Sequence, residues 1–197
     1  MRSYRFLSGL PIIVLAAASC FGQTPKPSDS AERTLTLINA DFEKGTIEGW
    51  NGWAVTDDVS SAVNHTPNGR YAASPSLNVK DGPFGEGALV YELKDLRPGD
   101  EYRATVWARA DAFDAAGHGS VTARLKVEYW DETGKILISG VESQTISRTS
   151  DWRELRVADR VPPKTGMVKI LLHLKNEGGA GNSGAVFFDD VRLVVTK

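Results

Sequence analysis

Aromatic and hydrogen-bonding side chains alternate with apolar ones in three stretches of this chain, and the polar side of each stretch could contact a ligand. Trp107 and Trp130 each stand in one of these rows. An aromatic ring offers a flat apolar surface, and neighbouring charged groups exchange hydrogen bonds with a polar ligand. The other candidate ligand-binding residues are Arg109, Arg124, Glu128 and His173. They would act together if the three stretches were neighbours in one sheet.

Plainer roles are open for the same residues. Trp107 could pack beneath a loop, the basic residues could form a solvated face, and His173 could be an ordinary histidine on a sheet surface. We expect the remaining tryptophans to pack in the core or against strands; they are Trp50, Trp53 and Trp152.

Motifs for catalysis are weak. The three histidines do not have the His-Glu-x-x-His spacing, and one cysteine cannot form a cysteine-based zinc cage. The stretch GAGNSG at 179–184 fits the Gly-x-Gly-x-x-Gly pattern, but a strand-like run follows it where a helix would be needed, so we expect a loop. The sequence therefore favours a protein that is not an enzyme. A small lyase or esterase is the least favoured hypothesis.

Composition indicates one folded domain. The chain has 197 residues, of which 41% are hydrophobic and 24% charged. That hydrophobic content can build a core, and the length suits a single domain. The net charge of −2 argues against binding to nucleic acid, because proteins that bind it usually carry a basic excess.

Residues 1–19 are expected to be a secretory signal peptide. Arg2 and Arg5 precede an uncharged apolar run at 10–18 that is too short to span a bilayer. The segment that ends in Cys20 resembles a bacterial lipobox, which implies that this cysteine carries lipid. Residues 20–33 would then be a flexible tether to the cell envelope, periplasmic or on the outer surface. The alternative is cleavage after Ala18 and a plain secreted protein.

Short apolar runs with a period of two dominate the rest of the chain, 34–197. Inward-facing apolar residues are predicted at even positions in 102–108 and 168–174, and at odd positions in 121–129. A period of two over seven or more residues indicates half-buried antiparallel strands. Turn signals at 97–100, 131–134 and 161–164 separate them. We therefore predict an all-β sandwich of two antiparallel sheets.

Five segments carry a resemblance to a known family. In chain order they are NADFE at 39–43, GW at 49–50, LRPGDEYRATVWAR at 96–109, DW at 151–152 and FFDDVRL at 187–193. They resemble the jelly-roll carbohydrate-binding modules found beside xylanases and glucanases, within the galactose-binding-like β-sandwiches. The resemblance implies non-catalytic binding of a polysaccharide or oligosaccharide. It places Trp107 in a family motif, whereas Trp130 is our own inference.

A calcium ion is also implied by this resemblance. The alternation predicts that Phe187, Asp189, Val191 and Leu193 share one face, which puts Asp189 among apolar neighbours. A buried carboxylate needs a partner, and the family supplies Ca²⁺, with Glu43 and Asp189 as matching ligands and Asp41 nearby. The alternative is a hydrogen-bonded or ion-paired Asp189 without metal.

The sequence is therefore consistent with two functions. The first is a lipid-anchored envelope protein that binds polysaccharide and could hold a partner glycoside hydrolase near it. The second is a structural or protein-interaction β-sandwich without a sugar site.

Overall fold

The computed structural model describes residues 32–53, 63–65, 71–73, 85–111, 121–147, 150–176 and 185–196. The predicted signal peptide, Cys20, most of the tether and the glycine-rich stretch at 179–184 lie outside the described residues. Among these residues no helix is long and apolar enough to cross a membrane.

The described residues form eleven β-strands. Their bounds are β1 Arg33–Leu35, β2 Asn51–Trp53, β3 Val63–His65, β4 Tyr71–Ala73, β5 Gly85–Leu93, β6 Glu101–Asp111, β7 Val121–Trp130, β8 Leu137–Glu142, β9 Ser150–Arg160, β10 Met167–Asn176 and β11 Ala185–Val195.

The strands form two antiparallel sheets. Sheet A has the order β3-β4-β11-β6-β9, with β1 also paired to β11, and sheet B has the order β2-β5-β10-β7-β8. The predicted all-β sandwich of the jelly-roll type is confirmed. The strand β6 belongs to sheet A, whereas β7 and β10 are neighbours in sheet B.

Period-two alternation positions the core as predicted. The apolar residues of β6, β7 and β10 that were predicted to face inward are buried in one cluster between the sheets wherever the structure describes their side chains. Turns predicted from Arg97 to Asp100 and from Asp131 to Gly134 are present, each closed by a backbone hydrogen bond from its last residue to its first. The second uses glycine at a φ of 66°, a conformation that costs other residues more.

A buried hydrogen-bond chain joins the two sheets through the core. The hydroxyls of Tyr102 on β6 and Tyr129 on β7 are 2.6 Å apart, and the Tyr129 hydroxyl donates to the Asp159 carboxylate at 2.8 Å. Burial raises the pKa of both phenols above their ordinary value, so both stay protonated. The chain pairs polar groups that would otherwise be costly to bury.

A β-bulge in β11 overturns the predicted face of that strand. The register with β6 shifts between Asp189 and Arg192, and Asp190 has a φ of 52°. Phe188 faces the core before the bulge, and Val191 faces it afterwards. The prediction that Phe187, Asp189, Val191 and Leu193 share one face is therefore wrong, because an extra residue exchanges the two faces of a strand.

Candidate functional site

The outward side of sheet B, called face B, gathers side chains from all five of its strands. It consists of Trp53, Glu86, Ala88, Val90, Glu92, Thr122, Arg124, Lys126, Glu128, Trp130, Glu142, Lys169, Leu171, His173 and Lys175. Directly opposed residues in paired strands point to the same side of a sheet, so the register places these side chains together.

Three apolar residues form the floor of face B. Ala88, Val90 and Leu171 make a cluster separate from the main core, and they are 0%, 8% and 4% exposed. An outward-facing side chain is ordinarily solvated, whereas these three are almost fully covered. Face B therefore has an apolar centre rather than a uniformly charged one.

His173 lies beside this floor on β10. Its Nε2 is 2.6 Å from Glu86 Oε1, and its Nδ1 is buried with no hydrogen-bond partner among the described residues. Burial lowers the pKa of His173 below its ordinary value, the Glu86 carboxylate opposes this, and Lys126 and Arg124 add to the lowering. The imidazole is therefore neutral at pH 7.

Ion pairs balance the charges around the floor. Arg124 pairs with Glu142 at 2.5 Å, Lys126 with Glu128 at 2.9 Å, and Lys169 with Glu92 at 3.4 Å. Partial burial raises the pKa of Glu142, but the hydrogen bond and charge of Arg124 outweigh it, and the pKa lies below its ordinary value. Face B presents many hydrogen-bonding groups with little net charge.

Two tryptophans lie at opposite corners of face B. Trp130, on β7, donates its indole N–H to Glu128 at 3.0 Å, and Lys169 Nζ lies 4.8 Å from its ring centre. Trp53, opposite Ala88 on the edge strand β2, is 50% exposed. The expectation that Trp53 is packed is wrong, because β2 lies at the sheet edge and leaves the ring solvated.

The outward side of sheet A is called face A. It includes Arg103, Thr105, Trp107, Arg109, Glu154, Arg156, Ala158, Phe187, Asp189, Arg192 and Val194. Trp107 is 40% exposed and stands opposite Asp189 on one side and Glu154 on the other. Trp107 therefore does not lie beneath a loop.

The candidate calcium ligands belong to the first turn and the bulge. The Val191 N–H donates to the Ala40 carbonyl at 2.9 Å, which joins the two segments. Asp189 is 4% exposed and accepts the Asp190 N–H at 2.8 Å, while Asp41 and Glu43 are exposed. Within the described ranges no three acidic, histidine or cysteine side chains cluster as a metal site would require.

Most of this chain matches a known protein family. A family model described as a carbohydrate binding domain matches residues 35–178. The chain belongs to the carbohydrate binding domain family. Every residue of face B falls inside the matched range, whereas β11 with Asp189 falls outside it.

Solved structures share the fold of this carbohydrate binding domain. The enzymatically active domain of bacteriophage CBA120 tailspike protein 4 has a TM-score of 0.55 at 14% identity, over 80% of this chain and 21% of that one. A cyclase from Fischerella sp. TAU in complex with 4-(1H-indol-3-yl)butan-2-one has a TM-score of 0.55 at 19% identity, over 82% and 97%. The CBM22-1 xylan-binding domain from Paenibacillus barcinonensis Xyn10C has a TM-score of 0.53 at 14% identity, over 80% and 92%.

These likenesses concern the fold alone. The chain spans about a fifth of the tailspike protein but nearly all of the cyclase and of the xylan-binding domain. No curated protein matches the sequence. Because one of these structures is a cyclase, the fold by itself does not decide between binding and catalysis.

The structure divides the predicted ligand residues between two surfaces. Arg124, Glu128, Trp130 and His173 lie together on face B, whereas Trp107 and Arg109 lie on face A. The condition that the three stretches share one sheet is not met. Trp53 was not among the predicted ligand residues, because the three-residue run Asn51–Trp53 is too short to show an alternating pattern.

Proposed function

We propose that this carbohydrate binding domain binds a neutral polysaccharide or oligosaccharide on face B without catalysing a reaction on it. The observation that carries the proposal is the placement of Trp53 and Trp130 on either side of the apolar floor of Ala88, Val90 and Leu171. Sugar rings stack their C–H faces on aromatic rings, and their hydroxyls exchange hydrogen bonds with charged side chains.

The length of face B favours a chain of several sugars. Trp53 aligns with Arg124 across three strand steps, and Trp130 lies six residues further along β7. With ordinary strand spacing the two rings are about 25 Å apart on the diagonal. A single sugar would touch only one of them, so an oligosaccharide is the better fit.

Charge balance favours a neutral glycan. Arg124, Lys126 and Lys169 already have carboxylate partners on the same face. An anionic sugar would have to break one of these pairs, and removing one partner of a shielded pair is costly. Hydroxyls can instead add hydrogen bonds to groups that keep their pairs.

Affinity electrophoresis of the purified protein tests the proposal. Xylan is named for one structural relative, so it comes first, followed by β-glucan and galactan. We expect retardation in at least one gel, and loss of retardation with Trp53→Ala and Trp130→Ala. Arg160→Ala is the control, because Arg160 pairs with Glu101 on sheet A, away from face B. Absence of retardation by any neutral polysaccharide would contradict the proposal.

The second candidate function is protein interaction through the rim of face B. Ile136 lies just before the edge strand β8, and Leu137 and Ile138 begin it; they are 64%, 48% and 37% exposed, and Lys169 already covers part of Trp130. Exposed apolar runs at sheet edges suit protein contacts. Leu137 pairs with Trp130, so Ile136→Lys is the variant that separates the two functions: it leaves glycan retardation unchanged but weakens a contact made through this edge.

A lipid anchor at Cys20 is proposed for the location of the protein. It would hold face B at the bacterial envelope, where a partner glycoside hydrolase could share its polysaccharide. Metabolic labelling with a fatty acid tests it: the wild type should incorporate label, and Cys20→Ser should not. Label in both proteins, or in neither, would refute the anchor and leave secretion as the alternative.

Structural calcium is proposed between the first turn and β11. The donor set fits a hard cation only if backbone carbonyls join the carboxylates of Glu43 and Asp189, with Asp41 near them. Bound ions stabilise the folded state, so chelation should lower the melting temperature of the wild type. It should have no effect on Asp189→Asn. An unchanged melting temperature of the wild type would refute the site.

A further inference from the structure

Three arginines surround one threonine on face A. Thr105 on β6 stands directly opposite Arg192 of β11 and Arg156 of β9, and Arg103 lies two residues before it on the same strand. Two strand steps separate Arg156 from Arg192, so their Cα atoms are about 10 Å apart. The guanidinium groups of this cluster, called the arginine cluster, can reach a common ligand above Thr105.

The cluster keeps its charge available. Among the described residues, Arg103 and Arg156 make no ion pair and no side-chain hydrogen bond. Arg192 is 67% exposed and meets Asp190 only at 4.0 Å. Val194 and Ala158 flank Arg103 across the sheet, so its neighbours do not neutralise it. On face B, by contrast, Arg124, Lys126 and Lys169 are each held by a carboxylate nearby.

An exposed aromatic ring adjoins the cluster. Trp107 lies two residues beyond Thr105 on the same side of β6. That separation is about 7 Å along a strand, which is of the order of one sugar residue. One sugar can therefore stack on Trp107 while a charged group of the next one lies over the arginines.

We propose that face A is a second glycan-binding surface, which takes polysaccharides that carry carboxylate or sulfate groups. Arginine forms paired hydrogen bonds with planar or multi-oxygen anions, and within the described part of the chain Arg103 and Arg156 have no partner that such an anion would have to displace. The proposal goes beyond neutral-glycan binding on face B and does not depend on it.

The surroundings of Trp107 favour a polysaccharide over other polyanions. Glu154 and Asp189 flank the ring. Asp189 is buried, but the exposed Glu154 carboxylate can accept hydrogen bonds from sugar hydroxyls, which the phosphates of a nucleic acid or a lipid surface do not offer.

Binding to matched polymers tests the proposal. Dextran sulfate against dextran isolates the sulfate, and polygalacturonate supplies the carboxylate. At low salt we expect binding to at least one of the charged polymers, weakened roughly threefold by each of Arg156→Ala and Arg192→Ala and at least about tenfold by the triple variant with Arg103→Ala. Trp107→Ala should also weaken it. Arg153→Ala, on the same strand and with the same charge change but opposite Ala108 on the other side of the sheet, should alter it less than about twofold.

Three outcomes would overturn the proposal. The first is no binding to either charged polymer. The second is equal loss with Arg153→Ala, which would mean general charge attraction. The third is tighter binding to single-stranded DNA or to phosphatidylglycerol vesicles, with no effect of Trp107→Ala. The triple variant keeps every residue of face B, so its retardation by a neutral polysaccharide tests the other proposal separately.

Discussion

The two outer faces of this sandwich use similar residues to opposite effect. Both carry tryptophan and several basic side chains, yet three cations of face B are paired with carboxylates around a buried apolar floor, whereas among the described residues only Arg192 of the arginine cluster meets a carboxylate, at 4.0 Å. Charges that are already paired leave a surface neutral and rigid, whereas free guanidiniums attract anions. The pairing of a residue therefore says more about its ligand than its type does.

A substitution in the floor of face B should give the largest loss of stability. Leu171→Ala should lower the free energy of unfolding by about 2–4 kcal/mol, because a buried leucine is lost from the outward side of a central strand. Thr105→Ala, in the centre of face A, should cost less than about 1 kcal/mol. Urea denaturation measures both. Equal losses would mean that the faces do not differ in packing.

Trp53 and Trp107 should each contribute to the binding of only one of the two proposed ligands. Trp53→Ala is expected to weaken neutral-glycan binding about tenfold, as loss of a stacked ring at a binding surface does. Trp107→Ala should leave that binding unchanged. Isothermal titration calorimetry with a neutral oligosaccharide measures both affinities. Weaker binding by Trp107→Ala would show that face A also contributes to neutral-glycan binding.

Binding on the two faces should also differ in its dependence on salt. Raising sodium chloride from 50 mM to 500 mM is expected to weaken the binding of an anionic polysaccharide roughly fivefold or more, since exposed charges are screened. Binding of a neutral glycan should change less than about twofold under the same conditions. Biolayer interferometry at both salt concentrations provides the measurement. Equal sensitivity would show that charge drives both interactions.

Lowering the pH should reduce the stability of the folded protein through His173 on face B. Burial, with Lys126 and Arg124, lowers the pKa of this imidazole in the folded protein despite the Glu86 carboxylate. The folded state therefore binds fewer protons than the unfolded state below about pH 6.5. The stability that His173 contributes is present above that pH and is lost as the pH falls through the lowered folded value.

A His173→Asn variant should flatten this dependence of stability on pH. Chemical denaturation between pH 7.5 and pH 5 measures the difference between wild type and variant. A Glu86→Gln variant is the matched control, because removing the carboxylate should lower the pKa of His173 further. If wild type and His173→Asn lose stability in parallel, another group is responsible.

Local periodicity accounts for the parts of the fold that were predicted correctly. In β6, β7 and β10 the apolar residues recur every second position, and the buried set matches that pattern. The pattern works because alternate side chains of a strand point to opposite sides. The bulge at Asp190 has no such signal, so the face of Asp189 was predicted wrongly.

The sequence by itself determined which side chains of β6, β7 and β10 face outward, and hence the candidate ligand residues. Only the tertiary structure decided which strands are neighbours, and this separated Trp107 from Trp130 and joined Trp53 to Ala88, Leu171 and His173. Alternation along a strand is a local property of the backbone. The choice of pairing partner depends on contacts between residues far apart in the chain, which one strand's pattern does not contain.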